Sequence, residues 1–172
     1  MVKLGYTILY VSDVTKAIEF YEAAFGFQRK FVTPDNDYGE LLTGETTLSF
    51  ASVALAHSNL SNGFQESKPN NPAFGIEIGL VTEHVQETLD KAVQLGAQIL
   101  EPAKQKPWGQ TVAYLRDLDG FLIEVCTPMG WWKDFKESWI TNSELGISFS
   151  FILSFSRCPL VRLDKKVVIW TN

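Results

Sequence analysis

Cysteine and histidine are the scarcest chemically active residues in this 172-residue chain, with two of each. Cys126 and Cys158 cannot build a disulfide framework and show no Cys-x-x-Cys metal spacing. Basic residues are outnumbered, 15 Lys plus Arg against 20 Asp plus Glu. No basic run is present, which argues against nucleic acid as a partner, because phosphate backbones are held by clustered cations. Long apolar runs are also missing. The longest, Leu145 to Phe155, is broken by Ser148, Ser150 and Ser154 and falls short of the ~20 residues that span a bilayer, so no membrane association is expected. Met1-Val2-Lys3 leads straight into an alternating pattern instead of an apolar leader, and the expected location is cytoplasmic. Gly-rich phosphate loops, Ser nucleophile elbows and zinc-binding Cys or His pairs are absent as well.

What the chain has is apolar and aromatic substance, 45% and 13% of residues, enough for a globular core. Its charge is divided. Residues 1–130 carry 9 basic and 16 acidic side chains, a net of −7, whereas 131–172 carry 6 and 4, a net of +2. Four of the five Trp, at 131, 132, 139 and 170, fall in that last stretch.

The first 130 residues contain a repeat. Lys3 to Val11 reads as a strand closed by Ser12-Asp13, a helix N-cap signal. Val14, Ala17, Ile18, Tyr21 and Phe25 then form one helical stripe that ends at Gly26. Phe27 to Thr33, Tyr38 to Leu42 and Thr46 to Leu55 follow as three strands, divided by turn-forming residues. After a polar linker, His57 to Pro72, the same order returns. Phe74 to Val81 is a strand, and Val85, Leu89, Ala92, Val93 and Leu95 mark a helix closed by Gly96. Gln98 to Leu100, Thr111 to Leu115 and Phe121 to Cys126 are the remaining strands. The expectation is an α+β fold in which two paired βαβββ repeats, about 1–56 and 72–128, form a curved mixed sheet with helices outside. Residues 131–172 form a Trp-rich C-terminal extension, with a short helix over Trp131 to Ile140 and strand signals at Ile147 to Phe155 and Val167 to Trp170.

Several segments carry a family resemblance: Tyr6 to Asp13, Ala17 to Tyr21, Phe25-Gly26-Phe27, Pro107-Trp108-Gly109-Gln110, and Asp117 to Glu124 with its Asp-x-Asp-Gly start. In this order and with the paired repeat, the chain resembles the vicinal oxygen chelate superfamily, which holds glyoxalase I, bleomycin-resistance proteins and extradiol dioxygenases. The resemblance covers about 1–128. It implies the fold and, in the antibiotic-binding members, a homodimer with the cleft between protomers. It does not by itself imply an activity, since that fold hosts several.

Metal-dependent members hold a divalent cation between side chains of the first and last strands of both repeats. In the first repeat the first-strand position is Tyr6, and a neutral phenol is a poor ligand. In the second it is Glu77 if the Val14–Val85 match sets the register, or Ile76 if the glycine match does; Glu77 is preferred because Ile76, Ile78 and Leu80 then face the helix together. Glu124 stands at the last-strand position of the second repeat, and Ser49 or Ala51 at that of the first. Two candidate metal ligands remain, Glu77 and Glu124. His57, in the linker, and His84, at the start of the second helix, are off the inward strand positions.

The leading expectation is therefore a protein that binds a small molecule in an acidic, aromatic-lined cleft made by Tyr6, Glu77, Trp108 and Glu124, with no cofactor. The first alternative is a metal-dependent lyase or isomerase of the glyoxalase I type, with Ni, Zn, Mn or Fe held by Glu77 and Glu124. The second is an interaction protein acting through residues 131–172. Cys126, in an apolar strand, reads as a core thiol, and Arg116 as a surface or structural ion-pair partner.

Overall fold

The computed structural model of the chain describes residues 1–44 and 46–129. The extension 131–172, with its expected helix and strands, lies outside the described residues.

Strand β1 (Tyr6–Val11) leads into helix α1 (Val14–Phe25). The Asp13 side chain accepts the Lys16 N–H at 3.0 Å to cap the helix, and Gly26 ends it at φ 74°, a left-handed conformation that glycine adopts without a Cβ penalty. The stripe Val14, Ala17, Ile18 and Tyr21 is buried. Strands β2 (Gln28–Val32), β3 (Tyr38–Leu42) and β4 (Thr47–Ser52) complete the first repeat. The second runs β5 (Glu77–Val81), a helix over Val85–Gln94, and β6 (Gln98–Gln105), β7 (Thr111–Arg116) and β8 (Leu122–Cys126).

Two expectations are corrected. The strand from Thr46 does not reach Leu55, because the Ser52 Oγ accepts the Leu55 N–H at 3.1 Å and starts helix α2 (Val53–Asn59); the second repeat's helix is therefore α3. The loop expected from Pro102 to Gly109 begins later, because β6 continues through Pro102 to Gln105 with register slips after Ile99 and Glu101. β6 ends its sheet, and an edge strand tolerates both a proline and a bulge.

The repeats form two four-stranded sheets of identical order, β1-β4-β3-β2 and β5-β8-β7-β6, rather than one continuous sheet. In each, the first strand runs parallel to the last and the other pairs are antiparallel. Helices α1 and α3 touch each other, and one core joins both repeats, including Ile18, Tyr21 and Phe50 from the first and Leu89, Leu115 and Ile123 from the second. Each such side chain stabilises the fold by roughly 1.5–3 kcal/mol on burial. No helix among the described residues is long and apolar enough to cross a membrane.

Polar bonds from one turn tie the repeats together. Asp119 accepts both the backbone N–H and the hydroxyl of Ser12, at 2.8 and 2.7 Å, and the buried Asp117 accepts the Tyr21 hydroxyl at 2.9 Å. Arg116 is buried rather than a surface ion-pair partner. Its guanidinium donates to the carbonyls of Gly120, Pro69, Asn71 and Lys68, which fastens the linker to the second sheet. Gly120, at φ 86°, has no room for a Cβ, which would stand 2.5 Å from the Arg116 guanidinium and 2.6 Å from the Lys68 carbonyl carbon. Elsewhere in the linker the Phe64 ring sits 4.8 Å from Tyr10 and 4.8 Å from His57.

Burial pushes the Asp117 carboxyl up to about 6 from 3.8, against the opposing bonds from the Phe121 N–H and the Tyr21 hydroxyl. The folded state thus holds this proton more tightly than the unfolded chain. Its stabilising effect is complete below the unfolded value and is lost as pH rises through about 6. Urea denaturation of the Asp117→Asn variant across this window is expected to lack a loss on the order of 2–3 kcal/mol that the native chain shows. Gly120→Ala is expected to cost more than about 1 kcal/mol in the same measurement, from its left-handed backbone and the displaced guanidinium.

Candidate functional site

A cavity of about 740 Å³ lies between the first strands of the two sheets. Thr7, Ile8 and Leu9 of β1 and every residue from Ile76 to Thr82 line it. Consecutive residues point to opposite faces of a strand, so an unbroken lining run means that the cavity meets the edges of β1 and β5 as well as their faces. Phe27, Leu48, Phe74 and Phe121 add apolar wall, and Glu77 is the one charged side chain among the described residues that line it.

The register settles which positions of the repeats correspond. Tyr6 opens β1 and pairs with Thr47, the first residue of β4; Glu77 opens β5 and pairs with Leu122, the first residue of β8. Tyr6 and Glu77 are therefore equivalent. Two residues on, Ile8 pairs with Ser49 and Gly79 with Glu124, which makes Ser49 the counterpart of Glu124. Ile78 and Leu80 pack against the core, while Glu77, Gly79 and Val81 are exposed. Ile76 does not join the core side; it precedes the strand and is 74% exposed.

Glu124 lies on the same face of the second sheet as Glu77, and across from it on β7 stands Tyr114. The Tyr114 hydroxyl donates to Glu124 Oε2 at 2.9 Å. This bond to a carboxylate, with partial burial and the further charge of Glu77, pushes the phenol up to about 12. The Lys106 ammonium sits 5.8 Å from the Tyr114 ring centroid. Burial, followed by a bond to Glu124 and the charge of Glu77, pushes the Cys126 thiol up to about 11, which keeps it protonated and unsuited to nucleophilic attack. Glu77, Glu124, Tyr114 and Cys126 thus form one acidic patch next to the cavity.

Tyr6 and Trp108 stand apart from the cavity walls. Tyr6 is 57% exposed at the start of β1. Trp108 is 64% exposed in the loop between β6 and β7; its indole N–H donates to Gln110 Oε1 at 2.8 Å, and Gln110 in turn donates to the Thr127 carbonyl at 2.7 Å. The indole is braced while its ring remains open to solvent.

The first sheet carries a different polar group. Ser49 is fully buried opposite Glu40, and Glu40 accepts the Tyr38 hydroxyl at 2.9 Å and pairs with Lys30 at 2.7 Å. The ion pair with Lys30 lowers the Glu40 carboxyl from its ordinary value. By this register, the four positions that the family resemblance implies for a cation correspond to Tyr6, Ser49, Glu77 and Glu124. Among the described residues no three His, Cys, Asp or Glu side chains converge to hold a metal ion. His57 lies on α2 beside Glu66, and His84 is exposed at the start of α3. The residues present do not fit a complete divalent centre.

Sequence reasoning missed Tyr114, Tyr38 and Glu40. Tyr114 meets Glu124, and Glu40 meets Lys30, through cross-strand register, for which spacing along one strand carries no signal; Tyr38 and Glu40 stand two apart on β3, so the i, i+2 spacing was the signal that could have found that pair.

A family model described as the Glyoxalase/Bleomycin resistance protein/Dioxygenase superfamily matches residues 3–125. No curated protein matches the chain. Among solved structures, a glyoxalase-related enzyme from Fulvimarina pelagi is 21% identical with a TM-score of 0.61, covering 74% of this chain and 89% of its own. A glyoxalase/bleomycin resistance protein/dioxygenase family enzyme from Burkholderia phytofirmans PsJN is 17% identical with a TM-score of 0.63, covering 73% and 98%. A hypothetical protein from S. aureus is 24% identical with a TM-score of 0.60, covering 74% and 95%. At these identities the likeness is one of fold.

The Tyr114–Glu124 bond predicts a spectroscopic result. In Glu124→Gln the phenol loses its negatively charged acceptor, so its ionisation is expected to fall from about 12 towards the ordinary 10, in an ultraviolet phenolate titration that uses Tyr114→Phe to identify the transition.

Proposed function

From the premise that this chain belongs to the Glyoxalase/Bleomycin resistance protein/Dioxygenase superfamily, we propose that it is a small-molecule binding protein without a complete metal centre. The observation that carries this reading is the cavity of about 740 Å³, walled by apolar side chains with threonines among them and edged by the Glu77 carboxylate. Such a volume is that of an organic ligand site, in which apolar walls hold the body and a few polar groups fix its orientation. One exposed carboxylate at the edge of the cavity favours a ligand with a positive group through charge pairing. Glu124 beyond Gly79 extends the negative potential along the same face. Tyr6, next to the lining residue Thr7, offers an aromatic face to parts of a ligand that reach outside the cavity.

Tyr6 and Ser49 stand at two of the four positions that the resemblance implies for a metal, and neither is a good ligand for a divalent cation. The binding reading also gives Glu77 a role that does not depend on a partner ligand from the first repeat.

The test is a fluorescence titration of the full chain with the cationic dye rhodamine 6G and the neutral dye 1-aminoanthracene. Glu77→Gln is expected to weaken the cationic dye by about threefold to tenfold and leave the neutral dye unchanged. Gly79 has no atom within 4 Å of an added Cβ, so Gly79→Phe fits the strand and is expected to abolish binding of both dyes by filling the cavity. Binding that ignores both substitutions would overturn the assignment. So would stoichiometric nickel, zinc, manganese or iron in the purified protein that disappears in Glu124→Gln.

A further inference from the structure

Arg116 is buried, and each of the five N–H groups of its guanidinium has a backbone carbonyl as partner. Nε and Nη2 donate to Gly120 at 2.9 and 2.6 Å, and Nη2 also to Lys68 at 2.8 Å. Nη1 donates to Pro69 at 3.0 Å and to Asn71. A rigid fork of five donors can saturate this set, whereas a lysine ammonium has only three donors to offer.

Cross-strand register places this fork relative to the cavity. Arg116 pairs with Leu122 between β7 and β8, and Leu122 pairs with Glu77 between β8 and β5. The three form one row, with neighbouring strands about 4.8 Å apart. Leu122 and Glu77 both line the cavity, while Arg116 does not. The chain enters β5 and β8 from the two segments that the guanidinium holds. Ahead of β5, the turn from Lys68 to Asn71 is closed by the Asn71 N–H on the Lys68 carbonyl at 3.0 Å and turns three carbonyls towards Arg116. Pro72, with its fixed φ, stiffens the short path from there to Phe74. Ahead of β8, the bonded Gly120 carbonyl directly precedes Phe121. Asp117 fixes Phe121 further, accepting its N–H at 2.8 Å and donating a backbone N–H to its carbonyl at 3.2 Å. Phe74 and Phe121 are both half-buried residues of the cavity wall.

We propose that Arg116 is a positioning residue for ligand binding, setting the placement of the aromatic walls Phe74 and Phe121 through the backbone on both sides. This rests on the reading of the cavity as a small-molecule site and names what holds its shape. With the fork gone, the linker turn and the Gly120 turn lose their common anchor. A rigid aromatic ligand then loses close contact with one wall or the other, and a gap of about 1 Å forfeits up to half of a dispersion contact.

The experiment titrates the full chain with 1-aminoanthracene and records a urea transition for each variant. Arg116→Lys keeps the charge and is expected to weaken the dye about fivefold. In backgrounds carrying Phe74→Leu or Phe121→Leu, which keep an apolar wall, the same substitution is expected to cost no more than about twofold. Arg116→Ala leaves a space shaped like the missing fork, and millimolar guanidinium is expected to restore its dye affinity, which equal methylammonium or urea does not. Equal affinity of the native chain and Arg116→Lys overturns the proposal. So does a loss that is undiminished in both phenylalanine backgrounds, because Arg116 then acts on stability and not through these walls. Should Arg116→Lys show no urea transition, Gly120→Ala replaces it, since its Cβ would stand 2.5 Å from the guanidinium and displaces the fork with its charge in place. The same weakening and the same dependence on Phe74 and Phe121 are then expected, and unchanged affinity overturns the proposal. If Gly79→Phe abolishes dye binding and these variants do not weaken it, the proposal falls and the small-molecule reading stands; if the dye does not bind, or binds regardless of Gly79→Phe, both fall.

Discussion

The turn from Asp117 to Gly120 sets the relation between the two repeats. Its two carboxylates reach back across the core, one to Tyr21 on α1 and the other to Ser12 at the corner between β1 and α1. Asp117 is buried, and the backbone N–H groups of Asp119 and Phe121 also bond to it. A buried carboxylate with several donors is costly to disturb, because removing one donor leaves part of a buried charge without its hydrogen bond. The corner of β1 is thus held at a fixed place against the second sheet. The space between β1 and β5 follows from that placement together with the contact of α1 and α3.

This division of labour explains why the cavity can be open and apolar in a stable fold. The helices bury one face of each sheet in a common core, and the polar braces hold the repeats together without closing their first strands onto each other. The site then lies where no structural contact is needed. Its walls come from the first strands and the neighbouring residues, while among the described residues that line it Glu77 supplies the charge. Glu124, engaged by Tyr114, and Cys126, held protonated, shape the potential beside it.

The repeat was legible in the sequence because helical periodicity and turn chemistry are local. The stripe of α1, the capping Asp13 and the terminating Gly26 each follow from side chains a few residues apart. The equivalence of Tyr6 and Glu77 was legible through the spacing of the two helices. Less was legible where pairing decided the outcome. Ser49 and Ala51 could not be separated until the parallel pairing of β1 and β4 placed Ser49 beside Ile8. Ser52 reads as another strand residue until its side chain is seen to cap α2. Pro102 looks like a loop former unless β6 is known to lie at an edge. The partnership of Tyr114 with Glu124 joins two strands across a turn. The gap between the sheets has no residue of its own to announce it.

Arg116 carries a different lesson about how a linker is specified. Three of the residues that bind its guanidinium, Lys68, Pro69 and Asn71, contribute only carbonyl oxygens, which every amino acid possesses. The route of the linker past the second sheet is therefore written at position 116 and hardly at all in the linker itself. Lys68, Pro69 and Asn71 are free to drift in side-chain identity so long as the main chain keeps its course, whereas a change at Arg116 alone would erase the instruction.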